Sequence, residues 1–525
     1  MRRLILGLFI ATSTLAHTCA PAEAKGKTDP PADLLVTVSF GPDTTFDGMR
    51  SFVELVKPGS GAMVAMLPQL IGNAIGAGGL TGIDRKAWSY LLVSDDGTTK
   101  GMVLLAPVQD AKALAAAAPP AQITIKGAWA VIGAKPLVDH IAPYAFAVAS
   151  TLPRPSQPTA TVNVPAVLTR YKAVIAGSRQ QMLEASAMSP NGAAMAPLFG
   201  SYYDSMMSLA NDSAQVIVTL DVTKDLGAID ITLVPKASSR LAKFIAVQKP
   251  ADLALLDKLP AVPAPIVFVG HIEMGPYRDG LFAMAAQMYG IGSSATAGAA
   301  KDLIDAMAEI VKATNGDVAM TMTMAPGRAM AIDQVFGLSD MVAADKAIAH
   351  ALDLFKTPRT MEALKVKSTI KATVPMAYNN VTLRGYEIKQ DLATVPVEQR
   401  KAMDAVMPGG VMAARIATFD GLGVVAIGQD SVTEAKHVVD AVRGKAMHFT
   451  PGREVASLLD TVRVGKASLG FVIDVGALAA LSTSKVAPAP ALAPQPILMS
   501  MGYADHNAHI RFAITAATLK ALAKL

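Results

Sequence analysis

The chain has 525 residues, of which 52% are apolar and 17% charged, and its formal net charge at pH 7 is +5. Its basic residues are scattered, and no run of Lys and Arg alternates with aromatic side chains, which argues against a nucleic-acid-binding protein. The only cysteine is Cys19, so the chain beyond it has no disulfide, thiolate nucleophile or cysteine metal site.

Residues 1–24 have the pattern of a secretory signal peptide. Two arginines precede the apolar segment Leu4–Ala16, and Ala22-Glu23-Ala24 has the small-x-small form of a cleavage site. The residues before Cys19 do not fit a lipoprotein site. The sequence therefore predicts an exported protein, periplasmic or extracellular, whose mature chain begins at Lys25. No transmembrane segment is expected in that mature chain, because no later stretch has about 20 apolar residues in a row.

A polar leader, residues 25–33, precedes a first predicted α+β unit, residues 34–248. Its segments alternate between the helical and the strand period of apolar residues, and turn residues separate them. The predicted elements are strand Leu34–Phe40, helix Phe46–Leu70, hairpin Trp88–Val93 with Met102–Ala106, helix Asp110–Ala118, strands Ile123–Ile125 and Ala128–Ile132, helix Pro136–Val148, strand Ala160–Val164, a long helical stretch broken at Ser189–Gly192, and hairpin Gln215–Leu220 with Ala228–Val234.

A proline-rich linker, residues 249–265, leads to a second predicted α+β unit, residues 266–525. An extra segment at about 356–410 has no counterpart in the first unit. It contains a predicted hairpin, Ser368–Ala377 with Val381–Ile388, whose turn is Tyr378-Asn379-Asn380.

The two units repeat the same features in the same order. Gly41-Pro42 and Asp47-Gly48 follow the first strand, and Gly275-Pro276 and Asp279-Gly280 follow its counterpart. Each unit ends on a Leu-Ala-Lys helix. This order predicts an α+β protein of two homologous halves. Each half is expected to be a mainly antiparallel sheet built from hairpin–helix units, with helices on one face.

Two groups of side chains are candidates for binding a metal. His506 and His509 follow Asp505, and these three metal-capable side chains within five residues could form part of a zinc or copper site. The alternative is a polar hairpin turn. Alternating Met320, Met322 and Met324 suit copper(I). The alternative there is that the methionines pack in the core while the threonines between them, Thr321 and Thr323, face solvent.

Ser482 and Lys485 have the S-x-x-K spacing of a serine nucleophile and its activating lysine. The pair ends a short predicted helix beside a proline-rich segment, whereas the enzymes with this motif place it at the start of a long buried helix. The sequence therefore predicts no catalytic residue, no cofactor-binding residue and no cofactor. His506 and His509 remain weak metal candidates.

The leading interpretation is an exported, non-catalytic binding or scaffold protein of the cell envelope. Its partner is an apolar ligand or an envelope protein, and nucleic acid is not expected. The basis is a set of Met- and Ala-rich amphipathic helices, which contain Met182, Met188, Met195, Met206, Met207, Met284 and Met288. The alternatives are an exported hydrolase with a dispersed active site and a periplasmic metal-handling protein.

Overall fold

The computed structural model describes residues 30–41, 46–76, 81–117, 122–187, 192–262, 264–273, 297–323, 330–357, 368–390, 400, 407–477 and 495–522. Contacts divide the chain into two compact units. Unit 1 comprises Met1–Gln181, Ser205–Ala242 and Asp505–Leu525, and unit 2 comprises Met182–Asp204 and Lys243–Ala504. The last segment, Asp505–Leu525, belongs to unit 1, because its strand pairs with a strand of unit 1. The predicted second unit, residues 266–525, included this segment.

Unit 1 contains an antiparallel sheet centred on the first strand of the chain. Its strands are β1 Leu34–Phe40, β2 Ser89–Asp95, β3 Lys100–Pro107, β4 Gln122–Lys126, β5 Trp129–Gly133, β6 Thr159–Asn163, β7 Ser213–Val222, β8 Leu226–Pro235 and β18 Asn507–Thr515. β1 pairs with β2 on one side and with β6 on the other. β3, β5 and β4 follow in that order beyond β2, and β7, β8 and β18 follow beyond β6.

Unit 2 also consists of antiparallel strand pairs. Its strands are β9 Ile266–His271, β10 Thr314–Thr323, β11 Ala331–Leu338, β12 Ser368–Tyr378, β13 Val381–Gln390, β14 Val411–Phe419, β15 Leu422–Gly428, β16 Ala467–Asp474 and β17 Pro496–Ala504. β9 pairs with β10 and with β16. β11, β15, β14, β13 and β12 follow in that order beyond β10, and β17 follows β16.

The order of strand pairing is the same in the two units once β12 and β13 of unit 2 and β8 and β18 of unit 1 are set aside. In each unit the first strand pairs with the second and with the strand that follows the hairpin β4–β5 or β14–β15. In each, the third strand pairs with the second strand of that hairpin. The mixed α+β class is confirmed, whereas the descent of both halves from one duplicated unit stays a prediction.

The predicted extra hairpin is confirmed as β12 and β13. Asn379 and Asn380 connect the two strands, and their φ angles of 48° and 59° are those of the left-handed turn that two-residue hairpins favour. β13 pairs with β14, whereas β12 has no second partner among the described strands. The hairpin therefore extends the end of the sheet, as expected for a segment that the shared core does not require.

Helices lie between the strands of both units. They are α1 Asp47–Val56, α2 Gly61–Ala65, α3 Leu67–Ala74, α4 Ala111–Ala117, α5 Lys135–Val148, α6 Val164–Arg170, α7 Lys172–Ala187, α8 Gly192–Asp212, α9 Arg240–Ile245, α10 Ala297–Ala313, α11 Met341–Phe355, α12 Ser431–Val442, α13 Arg453–Val464 and α14 Ala516–Leu522. None of the described helices is both long and apolar enough to cross a bilayer.

The prediction that helices cover one face of the sheet is wrong for unit 1. Val103 and Leu105 of β3 pack in a cluster with α5. Leu104, between them, packs on the opposite face with Leu114 of α4 and with Ile75, which follows α3. Successive strand residues point to opposite faces, and each of these β3 residues is at most 1% exposed. An uninterrupted apolar strand therefore needs cover on both sides.

Candidate functional site

Three short helices of unit 1 replace the single helix predicted over residues 46–70. Pro58 and Gly59 end α1, since the φ of Gly59 is 83° and proline cannot continue the backbone hydrogen bonding. α2 and α3 then follow each other directly, because Met66 is helical and connects them. The two helices form one nearly continuous stretch from Gly61 to Ala74.

The α2–α3 stretch is apolar on two sides. Val64 and Ile75 lie on the side that is buried. Met63, Met66 and Leu70 are 49%, 51% and 54% exposed, respectively. Their i, i+3, i+7 spacing places these three side chains together on a second side of the helix. We call Met63, Met66 and Leu70 the apolar face.

Glu54 of α1 fixes the start of this stretch. Its carboxylate accepts hydrogen bonds from the backbone N–H groups of Gly59 and Gly61, each at 2.8 Å. The bonds from Gly59 and Gly61 lower the pKa of Glu54, and they satisfy N–H groups that a helix start leaves without a partner. From Pro58 to Ile83 the sequence has no charged side chain, so Glu54 anchors a segment that is otherwise uncharged.

A cavity of about 400 Å³ opens where α3 ends. Its lining is mostly apolar or glycine: Ala74, Ile75, Gly76, Lys100, Gly101, Met102, Ala134 and Leu137. Lys100 is the only titratable side chain in this lining. A Cβ atom on Gly101 would lie 2.6 Å from Cδ1 of Leu137, so glycine allows β3 to approach the first turn of α5 here.

Lys100 is available to a ligand. It lies opposite Asp95 across the β2–β3 pair. The Asp95 carboxylate already accepts hydrogen bonds from Arg170 Nε at 2.8 Å and from the Tyr171 hydroxyl at 2.9 Å. Burial alone would raise the pKa of Asp95, but these hydrogen bonds outweigh it and lower the pKa. Lys100 has no ion pair within the described part of the chain, and it places one positive charge at an apolar cavity.

A serine, an aspartate and a histidine meet in unit 1, but in an order that does not activate the serine. Asp33 accepts a hydrogen bond from Ser94, and its oxygens lie 2.9 Å and 3.0 Å from His140 Nε2. Burial would raise the pKa of Asp33, whereas the bonds from Ser94 and His140 lower it. A nucleophilic serine needs the histidine next to it as a base. Here the carboxylate separates the two, and this arrangement fastens the start of β1 to α5.

His271 of unit 2 is oriented by a carboxylate in the manner of a general base. It is 4% exposed, and its Nδ1 lies 2.7 Å from Oδ1 of Asp317, directly across the β9–β10 pair. Its Nε2 is buried without a hydrogen-bond partner, 3.8 Å from the Glu273 carboxylate. Within the described ranges, no hydroxyl or thiol is hydrogen-bonded to Nε2. The described residues therefore bring no nucleophile to this pair, which a covalent hydrolase would need.

Asp333 and Thr321 form a buried polar pair in the centre of unit 2. They lie opposite each other on β11 and β10, are 1% and 0% exposed, and each has a side-chain oxygen without a hydrogen-bond partner. Burial, with a smaller contribution from Glu434 of α12, raises the pKa of Asp333 to about 8. The expectation that Thr321 faces solvent is therefore wrong. Its neighbour on the other side is Val267 of the central strand β9, so the position is enclosed by strands.

The two histidine candidates lie in different places: His506 is in the turn between β17 and β18, and His509 is within β18. Asp505 and His506 form a turn in which both residues are left-handed, with φ angles of 50° and 62°. His509 lies within β18, where its Nδ1 is 3.0 Å from Oγ1 of Thr232 on β8. The described residues contain no group of three or more His, Cys, Asp or Glu placed to hold a metal ion.

The predicted methionines are not gathered at one site in the described residues. Met320 and Met322 are half-buried in β10, and Met206 of α8 is 48% exposed. Met182 and Met207 are also half-buried, and Met195 belongs to α8. Met188, Met284, Met288, Met324, Ser482 and Lys485 lie outside the described residues.

Comparison with known proteins does not assign this chain to a family. No family model and no curated protein matches this chain. A solved structure, crystal form IV of TP0453, aligns with 54% of this chain and 99% of its own, at 9% identity and a TM-score of 0.25. A TM-score of this size carries no argument about function.

Proposed function

We propose that this protein is an exported, non-catalytic binding or scaffold protein of the cell envelope, and that it holds an apolar ligand in the cavity beside α3. The observation that supports this most is the lining of that cavity, in which Lys100 is the one titratable side chain. Ligand sites are typically apolar concavities with a few placed polar groups. Residues 1–24 support export, and the matching strand-pairing order of the two units supports their origin by duplication.

The ligand class follows from the same lining. An apolar body fills a cavity walled by Ile75, Met102 and Leu137, and the thioether of Met102 adapts to more than one shape. Lys100 then pairs with one negative charge on the ligand. The proposed ligand is therefore an amphiphile with a hydrocarbon body and a single anionic group, such as a fatty acid.

The polar clusters favour binding over hydrolysis. In one, Asp33 stands between Ser94 and His140, and in the other His271 has Asp317 but no nucleophile hydrogen-bonded to Nε2. A covalent hydrolase needs a nucleophile and its base in direct contact. Neither cluster within the described ranges provides that contact.

A titration with the fluorescent fatty acid 11-(dansylamino)undecanoic acid tests this proposal. Ala134 is exposed at the mouth of the cavity, so Ala134→Trp places a large side chain over it without disturbing the core. Ala111→Trp is the matched control, because Ala111 is likewise exposed at a helix start of unit 1 and lies outside the cavity lining. We expect saturable binding that Ala134→Trp weakens at least about tenfold and Ala111→Trp leaves within about twofold.

The charge of Lys100 is tested in the same titration. Lys100→Gln should weaken binding of the fatty acid probe, because it removes the ionic contact. Binding of an uncharged dansyl amide of similar length should not change. The proposal is contradicted if binding does not saturate, or if Ala134→Trp and Ala111→Trp bind the probe equally.

A further inference from the structure

The apolar face has no cover within the described part of unit 1. A helix at the surface of a water-soluble protein normally buries one apolar side and exposes a polar one. The α2–α3 stretch buries Val64 and Ile75 but exposes Met63, Met66 and Leu70, each by about half. A stretch that is apolar on both sides is typical of a segment with a second apolar neighbour.

The chemistry of the segment points to a neighbour that makes no directional contacts. Between Pro58 and Ile83 there is no charged side chain, and the polar side chains of α2 and α3 are Gln69 and Asn73. Specific protein interfaces carry about one hydrogen bond per 100–200 Å² and a polar rim. This segment offers few groups for such bonds, whereas a lipid hydrocarbon boundary requires none.

We infer that the apolar face docks on the surface of a lipid bilayer. The inference rests on the proposed location in the cell envelope, and it concerns a different surface from the ligand cavity. The stretch Gly61–Ala74 is roughly 20 Å long at about 1.5 Å per residue. That is shorter than the ~30 Å hydrocarbon core, so the stretch lies along the interface with its Met and Leu side chains inserted.

The absence of charge determines how this docking should respond to conditions. Interfacial helices that bind by electrostatic attraction carry Lys and Arg on their polar side and require anionic lipids. The segment 58–83 has none, so burial of Met63, Met66 and Leu70 supplies the affinity. Binding should therefore occur on neutral vesicles and should not weaken when salt screens surface charges.

Co-sedimentation of the purified protein with neutral phosphatidylcholine vesicles tests the inference. The test variant is Met63→Glu/Met66→Glu/Leu70→Glu, which charges the apolar face. The matched control is Met447→Glu/Val464→Glu, at two unit 2 positions that are 82% and 84% exposed and equally apolar. Trp88 and Trp129 both lie in unit 1, so their fluorescence shows whether that unit stays folded.

We expect the wild type and the control variant to sediment with vesicles equally at low and high salt, and the triple variant to lose at least about tenfold in partitioning. Binding only to anionic vesicles, or equal loss in both variants, would overturn the inference. A wild-type dimer in analytical ultracentrifugation that the triple variant converts to monomer would also overturn it, since a second copy would then cover the face. Probe binding without vesicle binding would refute the docking surface alone, whereas vesicle binding without probe binding would refute the ligand cavity alone.

Discussion

Replacing Asp333 by asparagine should stabilise the protein at neutral pH. The carboxyl group is 1% exposed, has an oxygen without a partner, and lies opposite Thr321, whose hydroxyl is also unpaired. Burial raises its pKa from 3.8 to about 8, so the folded protein keeps this group protonated at pH 7 while the unfolded chain ionises it. Asparagine keeps the shape of the side chain and is neutral at every pH in this range, so folding no longer requires a proton to be taken up.

The magnitude follows from proton linkage. A raised folded-state pKa means that the stability associated with this proton is complete below pH 3.8 and is lost as pH rises towards about 8. Each pH unit in that window costs about 1.4 kcal/mol. At pH 7 the cost amounts to about 4 kcal/mol. The advantage of Asp333→Asn over the wild type should therefore be small near pH 4 and about 4 kcal/mol at pH 7.

Urea unfolding from pH 4 to pH 8, followed by far-UV circular dichroism, measures this difference. Asp257→Asn is the control, because Asp257 is exposed on the 3₁₀ helix Leu253–Lys258 of unit 2. Trp88 and Trp129 report on unit 1 separately. An advantage of Asp333→Asn that does not change with pH, or a variant less stable than the wild type at pH 7, would show that the folded protein does not keep Asp333 protonated.

Three further predictions concern export and packing. Mass spectrometry of the exported protein should show cleavage after Ala24, and a chain that retains the segment would contradict the signal-peptide assignment. Asp317→Ala leaves Nδ1 of the buried His271 without its partner and should cost about 1–3 kcal/mol in thermal unfolding followed by circular dichroism; an unchanged midpoint would show that the bond is dispensable. Leu105→Ala removes a 0% exposed side chain and should cost about 2–5 kcal/mol by tryptophan fluorescence, whereas Leu70→Ala, at a 54% exposed position, should cost little. Equal effects of the two leucine variants would contradict the assigned core.

Local features of the fold could be predicted because they depend on neighbouring residues. The hairpin turn at Asn379-Asn380 follows from two residues that tolerate a left-handed backbone, and the structure has it there. The helix Lys135–Val148 was predicted to within one residue, because Pro136 suits the first turn of a helix. In the region predicted as one helix, residues 46–70, the apolar period continues past Pro58. A prediction from that period alone therefore missed the break at Pro58 and Gly59.

Features that depend on distant residues could not be read from spacing. The cavity brings together Ile75, Lys100 and Leu137, which come from three separate elements. The burial of Thr321 and Asp333 depends on which strands lie on either side of them, and strand order is not contained in local periodicity. The uncharged run that carries the apolar face was visible in the sequence, but which of its sides remains exposed is decided by tertiary packing.

Photo-crosslinking with a fatty acid that carries a diazirine on its acyl chain tests whether the cavity beside α3 holds the proposed ligand. After irradiation and proteolysis, mass spectrometry locates each adduct on the sequence. We expect saturable adducts on peptides that contain Ile75, Met102 and Leu137, and we expect excess unlabelled fatty acid and Ala134→Trp both to suppress them. Adducts that are confined to unit 2, or that increase without saturation over the whole chain, would contradict this expectation.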